Sequence, residues 1–220
     1  MPYSADPQSR PHRPSRPARG PTQRLIRDPN ASVIVRRQIC RNLAVARWAM
    51  VFDGLGVRWE ARPAWLSPHW TPQPVDFALP SRGLFVAVVD AIPDLLGIAG
   101  MNRWEPLVRH TGQRLALITP ALFPGPNGFG PEYGAILFPR EPDALDEGPG
   151  PHDVGCDFAY AFVECPACRQ VDFTFMGRLD RLPCGCYPGR TPAGTRCHAG
   201  TSPRMRQIFG FAQWHLAPAP

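Results

Sequence analysis

A chain of 220 residues, net charge +6 and 44% hydrophobic side chains can bury a core in one or two small domains. All 24 basic residues are arginine, which excludes a lysine base, a Schiff-base lysine or a Walker-type phosphate loop. There is no apolar stretch behind Met1 and no run of about 18 apolar residues, so neither a signal peptide nor a membrane span is expected. With seven cysteines and no secretion signal, a reducing cytoplasmic setting follows.

The charge is uneven. Residues 1–41 hold nine Arg against Asp6 and Asp28, net +7, while residues 42–220 sum to −1. The segment 1–31, with Arg10, Arg13, Arg16, Arg19, Arg24 and Arg27 among prolines, cannot bury a core and reads as a disordered arm. It suits non-specific phosphate tracking, or serves only as a solubilising linker. The 29 Pro and 20 Gly point to a high-GC coding sequence.

A folded core is expected over 32–140. From Ser32 to Gly56, apolar residues recur at three- and four-residue spacings, which predicts one long helix ending at Gly54 and Gly56, with Cys40 buried on it. The alternation in Val57–Arg62 predicts a strand. Val75–Leu79 and Leu84–Val89 predict a hairpin joined by Pro80-Ser-Arg-Gly83, its second strand covered on both faces. A helix is expected over Met101–His110 and strands over Leu115–Ile118 and Tyr133–Phe138. Trp48, Trp59 and Trp104 fall on core faces, and His69 lies in an aromatic loop suited to packing or base stacking.

Residues 141–156 read as an acidic, Pro/Gly-rich linker. A metal module follows over 157–200. Cys165-Pro-Ala-Cys168 and Cys184-Gly-Cys186 are two close pairs separated by fifteen residues, the layout of a zinc ribbon. Phe158–Val163 and Val171–Phe175 are its strands, and Pro183 and Gly185 bend the second knuckle. Two disulfides or free thiols are the other readings, although a bridge between Cys184 and Cys186 would be strained. Cys156, or the Cys197-His198 pair, is available to replace one of the four ligands. A last helix over 201–216 is capped by Ser202, with Pro203 at its first position.

Helix, three strands, helix, strand is the element order of an α/β restriction-endonuclease-like core, a mixed sheet flanked by helices, here followed by a small C-terminal zinc ribbon and a terminal helix. At Ala46-Arg-Trp-Ala-Met-Val-Phe-Asp-Gly-Leu-Gly-Val-Arg-Trp-Glu60, Val75-Asp-Phe-Ala-Leu-Pro80, Phe85-Val-Ala-Val-Val-Asp90 and Arg181-Leu-Pro-Cys-Gly-Cys186 the chain resembles PD-(D/E)XK nuclease-like proteins of actinobacteria and their phages. The resemblance spans roughly residues 36–215. It implies two carboxylates on adjacent strands that hold Mg²⁺ at a scissile phosphate, with a lysine two residues after the second. Asp76 matches the first carboxylate. Ala87 stands where the second belongs, Val89 where the lysine belongs, and Val45 where a helix Glu usually completes the shell.

Three of four polar positions being apolar, the sequence reads as a non-catalytic DNA-binding or DNA-complex adaptor protein with structural Zn²⁺. Arg178, Arg181, Arg204 and Arg206 are candidates to reinforce the arm. Asp76 itself is left to cap a turn or pair with an arginine. One alternative is an active Mg²⁺-dependent endonuclease that recruits Glu60, Asp53 or Asp90 beside Asp76. Another is a structural assembly protein of a phage or mobile element that makes protein contacts only.

Overall fold

The computed structural model describes residues 28, 30–63, 75–90, 103–121, 134–139, 154–175, 178–186 and 202–216, of which 154–158 and 180 are described by their backbone. The chain begins with a two-stranded ribbon, β1 (Val33–Val35) and β2 (Gln38–Cys40), and continues into α1 (Leu43–Leu55). The single helix expected from Ser32 to Gly56 is therefore a hairpin followed by a helix. The side chain of Asn42 accepts the Val45 amide at 3.0 Å, which starts the helix ten residues later than expected. Val33-Ile-Val35 and Gln38-Ile-Cys40 carry the β-branched residues that favour a ribbon. Its two-residue loop, Arg36-Arg37, is left-handed at both positions, with φ of 45° and 67°. Each such arginine costs about 1 kcal/mol or more relative to glycine, so the turn carried no ordinary sequence signal.

A seven-stranded sheet follows in the order β3 (Glu60–Ala61), β4 (Phe77–Leu79), β5 (Leu84–Val88), β6 (Arg114–Ile118), β7 (Gly134–Pro139), β8 (Val154–Glu164) and β9 (Val171–Phe175). All neighbours are antiparallel except β5 and β6, which run parallel and are connected through α2 (Glu105–Thr111). The expected 75–89 hairpin is present, turning through Pro80–Arg82 with Gly83 at φ 55°.

β5 is buried at every residue because both of its faces are covered. Leu84, Val86 and Val88 pack with α1 and the C-terminal helix α3 (Pro203–His215), while Phe85 and Ala87 pack with Trp104, Leu107 and Val108 on and beside α2. The α1 side of the sheet is aromatic. Phe52 meets Phe77 and Phe162 edge-on at 5.2 and 5.3 Å, and Trp48 meets Phe209 of α3 at 5.9 Å. The Trp48 indole N–H donates to the Thr119 carbonyl at 2.9 Å, so even this buried ring has its polar handle paired.

α1 and α3 run antiparallel and cap one another. Arg47 near the start of α1 donates to the Leu216 carbonyl at 2.9 Å, and Arg204 at the start of α3 donates to the Gly54 carbonyl at 3.0 Å. Ser202 caps α3 through the Met205 amide at 3.0 Å, with Pro203 at its first position, as the sequence implies.

The sheet runs across the boundary drawn between core and metal module. β8 begins at Val154, inside the stretch read as linker, and pairs with β7 along its length. The cysteine cluster is thus built on the far strands of the same sheet. The most crowded glycine among the described residues is Gly134, where an added Cβ would lie 2.5 Å from the Leu117 carbonyl oxygen and 2.7 Å from Phe173 Cζ. Backbone on an adjacent strand cannot yield, so Gly134→Ala should lower stability by about 3 kcal/mol in denaturant titration. Unchanged stability would contradict the packing.

Candidate functional site

Among the described residues, two constellations carry chemistry. The first is the cysteine cluster. β8 ends at Glu164 and the chain turns through Cys165–Arg169 into β9, with the Cys165 amide donating to the Gln170 carbonyl at 2.7 Å and the Arg169 amide to the Cys165 carbonyl at 2.8 Å. That closure puts Arg169 at φ 66°. A 3₁₀ turn at Leu179–Arg181 leads to the second knuckle, where Gly185, at φ 65°, separates the two cysteines. Leu179 and Leu182 pack with Val163 and Cys165 in a small apolar core beneath the cluster.

The Sγ atoms of Cys165, Cys168, Cys184 and Cys186 lie within 4.8 Å of one another. Tetrahedral Zn–S bonds of about 2.3 Å place sulfurs roughly 3.8 Å apart, so the four can hold a metal ion such as zinc with little movement. None of the four is in a disulfide. Their acidities reflect crowding. Burial raises the Cys165 thiol, but the amides of Cys168 and Ala167 and the adjoining thiols outweigh it and bring the group to about 7. Cys184 is pushed up, first by burial. Cys186 is pushed up to about 12 by sharing hydrogen bonds with Cys168, Cys184 and Cys165. Four crowded sulfurs ionise together only when a cation joins them.

The backbone of Cys156 lies in β8 opposite Leu137, and Cys197 and His198 lie outside the described residues.

Glu164, next to Cys165, was not singled out by sequence. Its buried carboxylate accepts from Ser202 Oγ at 3.1 Å and from Arg204, with Arg169 at 3.6 Å. The residue before the first metal-type ligand therefore holds the start of α3. Arg204, a candidate for phosphate contact, is committed to Glu164 and Gly54, whereas Arg178, Arg181 and Arg206 are exposed.

The second constellation is Asp76. The β4–β5 register, continued by one pair, sets Asp76 opposite Ala87. Asp76 is fully buried, and both of its oxygens are taken. Oδ1 accepts Arg41 Nε at 2.6 Å, and Oδ2 accepts Arg41 Nη2 at 3.1 Å and the Val88 amide at 2.8 Å. Arg41 Nη2 also donates to the Val88 carbonyl at 2.5 Å. Burial pushes the Asp76 carboxyl above the ordinary carboxylate range, and Arg41 and the Val88 amide pull it part of the way back. Arg41 could not be found from sequence as its partner, because the two are 35 residues apart and no local pattern links them.

The other acids are placed differently. Asp53 accepts the Trp59 indole N–H at 2.8 Å and pairs with Arg36 at 2.7 Å. Glu60 is exposed on β3 opposite Ala78, and Asp90 is exposed just beyond β5. Val45 and Ala87 are buried, and Val89 packs against the α2-side core. Arg10, Arg13, Arg16, Arg19, Arg24, Arg27 and His69 lie outside the described residues. Among the described residues no helix is long and apolar enough to cross a membrane.

Cys40 ends β2 rather than lying on a helix, and it is wholly buried. Burial, then the nearby charges of Asp76 and Asp53, push its thiol up to about 12. Because Cys40 is wholly buried, iodoacetamide at pH 8 should leave it unmodified in the native protein, while the exposed Cys168 reacts once a chelator is present. Peptide mass mapping reads this directly, and native labelling of Cys40 as fast as Cys168 would contradict it.

No protein-family model, curated protein or solved structure was found to match this chain.

Proposed function

We propose that this chain is a DNA-binding protein on a degenerate PD-(D/E)XK nuclease-like core, with a structural zinc ion in the four-cysteine cluster. The observation that carries this reading is the Arg41–Asp76 pair. In the nucleases the chain resembles, a second carboxylate and a lysine complete a Mg²⁺ site around the first carboxylate. Here Ala87 faces Asp76, and a guanidinium supplies the positive charge instead. An Asp whose oxygens are already taken by Arg41 and Val88 has no lone pair well placed for a hard cation that demands several oxygen ligands. The fold reading is supported by the sequence of α1, β3, β4, β5, α2 and β6, with β6 parallel to β5 alone. The net +7 in residues 1–41 supports nucleic acid as the partner.

The test is fluorescence anisotropy with a labelled duplex over roughly 50 to 200 mM salt. Binding should weaken steeply with salt, and deleting residues 1–30 should flatten that dependence. Duplex affinity unchanged by the deletion would remove the arm from the account. A second reading, a protein-assembly component, is favoured by the near-neutral remainder of the chain and by exposed Phe211 and Trp214 on α3. No duplex binding at low salt would select it.

A further inference from the structure

The β1–β2 hairpin combines features that a ribbon serving only to support α1 does not need. Its two-residue loop keeps arginines at both left-handed positions, where Asn-Gly would sit without strain. Ile34 and Ile39 are paired directly across the ribbon and are 64% and 54% exposed, although Val33 and Val35 on the same ribbon pack against the core. Arg37 is exposed and has no ion pair among the described residues. Arg36 meets Asp53 at 2.7 Å but remains 70% exposed, a surface pair that phosphate can displace. The hairpin also lies at the end of the basic segment formed by residues 1–41 in the sequence.

We infer that this hairpin is a DNA-contacting ribbon. Arg36 and Arg37 take backbone phosphates at its tip, and the Ile34–Ile39 pair lies against base edges in the groove. A two-stranded ribbon matches the width of the major groove, and apolar side chains find thymine methyl groups there. Charge complementarity selects duplex DNA over a protein partner. A protein-binding ribbon does not require two exposed arginines beside its apolar pair, whereas a polyanion needs them within a few ångströms of any groove contact. The inference rests on the DNA-binding reading above and names the surface that performs it.

The strain in the loop supplies a discriminating test. Arg36→Asn with Arg37→Gly removes both charges while installing the residues that the turn geometry prefers. Full-length protein carrying this pair should melt no lower than wild type. It should bind a labelled duplex about tenfold or more weakly near 0.1 M salt, with the slope of log affinity against log salt reduced by about two. Ile34→Ser with Ile39→Ser should weaken binding several-fold and leave the slope unchanged. Wild-type affinity and slope in both variants would overturn the hairpin contact while leaving DNA binding by the rest of the chain intact. Failure of the unaltered protein to bind duplex at low salt would overturn both.

Discussion

Cys165→Ser should lose the metal and loosen the whole C-terminal third of the fold. Cys165 is the buried member of the cluster, seated on Val163, Leu179 and Leu182, and a serine hydroxyl is a poor substitute for thiolate at such a site. Without the ion, the knuckle that ends β8 has one short turn and a four-residue apolar core to hold it. Glu164 is the next residue back. Once it moves, Ser202 and Arg204 lose their partner, and Arg204 is also what ties α3 to the Gly54 carbonyl of α1. Structural zinc contributes roughly 10–16 kcal/mol in isolated finger peptides, so even partial coupling exceeds the effect of any single side chain in this molecule. Metal analysis should find about one zinc per chain in wild type and close to none in the variant. Thermal unfolding should shift down by many degrees, and hydrogen exchange should show α3 opening first. Cys40→Ala serves as control, since it removes a thiol and leaves the metal in place. A Cys165→Ser protein with full zinc or an unchanged melt would show that the cluster does not hold the fold together.

Removing Arg41 should be nearly as damaging, and its effect should depend on pH. Arg41→Ala leaves a fully buried carboxylate with the Val88 amide as its remaining partner, and breaking a buried pair from one side costs about 3–5 kcal/mol. Arg41 is itself partly exposed, so the lower end of that range applies. Burial raises the Asp76 carboxyl in the folded state relative to the unfolded chain, and losing the guanidinium raises it further. A raised folded value means that the folded state holds its proton more tightly. The stability so gained is complete below the unfolded carboxylate value and is lost as pH rises through the folded one. Arg41→Ala should therefore be worst near neutral pH and recover as pH falls toward 5, with the opposite trend contradicting the assignment. Pairing it with Asp76→Leu should restore most of the stability, because an apolar pair needs no compensating charge. A nuclease carboxylate would behave otherwise: its loss would remove activity and spare, or even raise, stability.

The cysteine cluster was legible because its signal is local. Two cysteine pairs at knuckle spacing, with Pro183 and Gly185 at the bend, need no tertiary knowledge to be read together. The same holds for Ser202-Pro203 as the start of α3, and for Leu84–Val88, whose unbroken apolar run implies two covered faces. The hairpin of β1 and β2 was hidden by its own loop. Arg36-Arg37 lacks the glycine or asparagine that marks such a turn, and the isoleucines and valines around it also fit a helical period once Asn42 is overlooked as a cap. Arg41 and Glu164 were missed for a different reason. A buried charge is an expensive choice that composition cannot reveal, and its partners, 35 and 40 residues away, are brought together only by the sheet. β8 starts within the stretch read as linker, whose upstream part, residues 141–153, is mostly Pro, Gly and acid.

The most direct measurement of the central claim is electrophoresis of supercoiled plasmid incubated with the full-length protein and Mg²⁺ or Mn²⁺. A carboxylate locked by Arg41 predicts retarded plasmid that returns to the supercoiled band when the protein is digested away, in wild type and Asp76→Ala alike. Nicked or linear plasmid that appears with wild type and disappears with Asp76→Ala would mean that Asp76 does bind a catalytic metal ion, and that the arginine clamp opens to admit it.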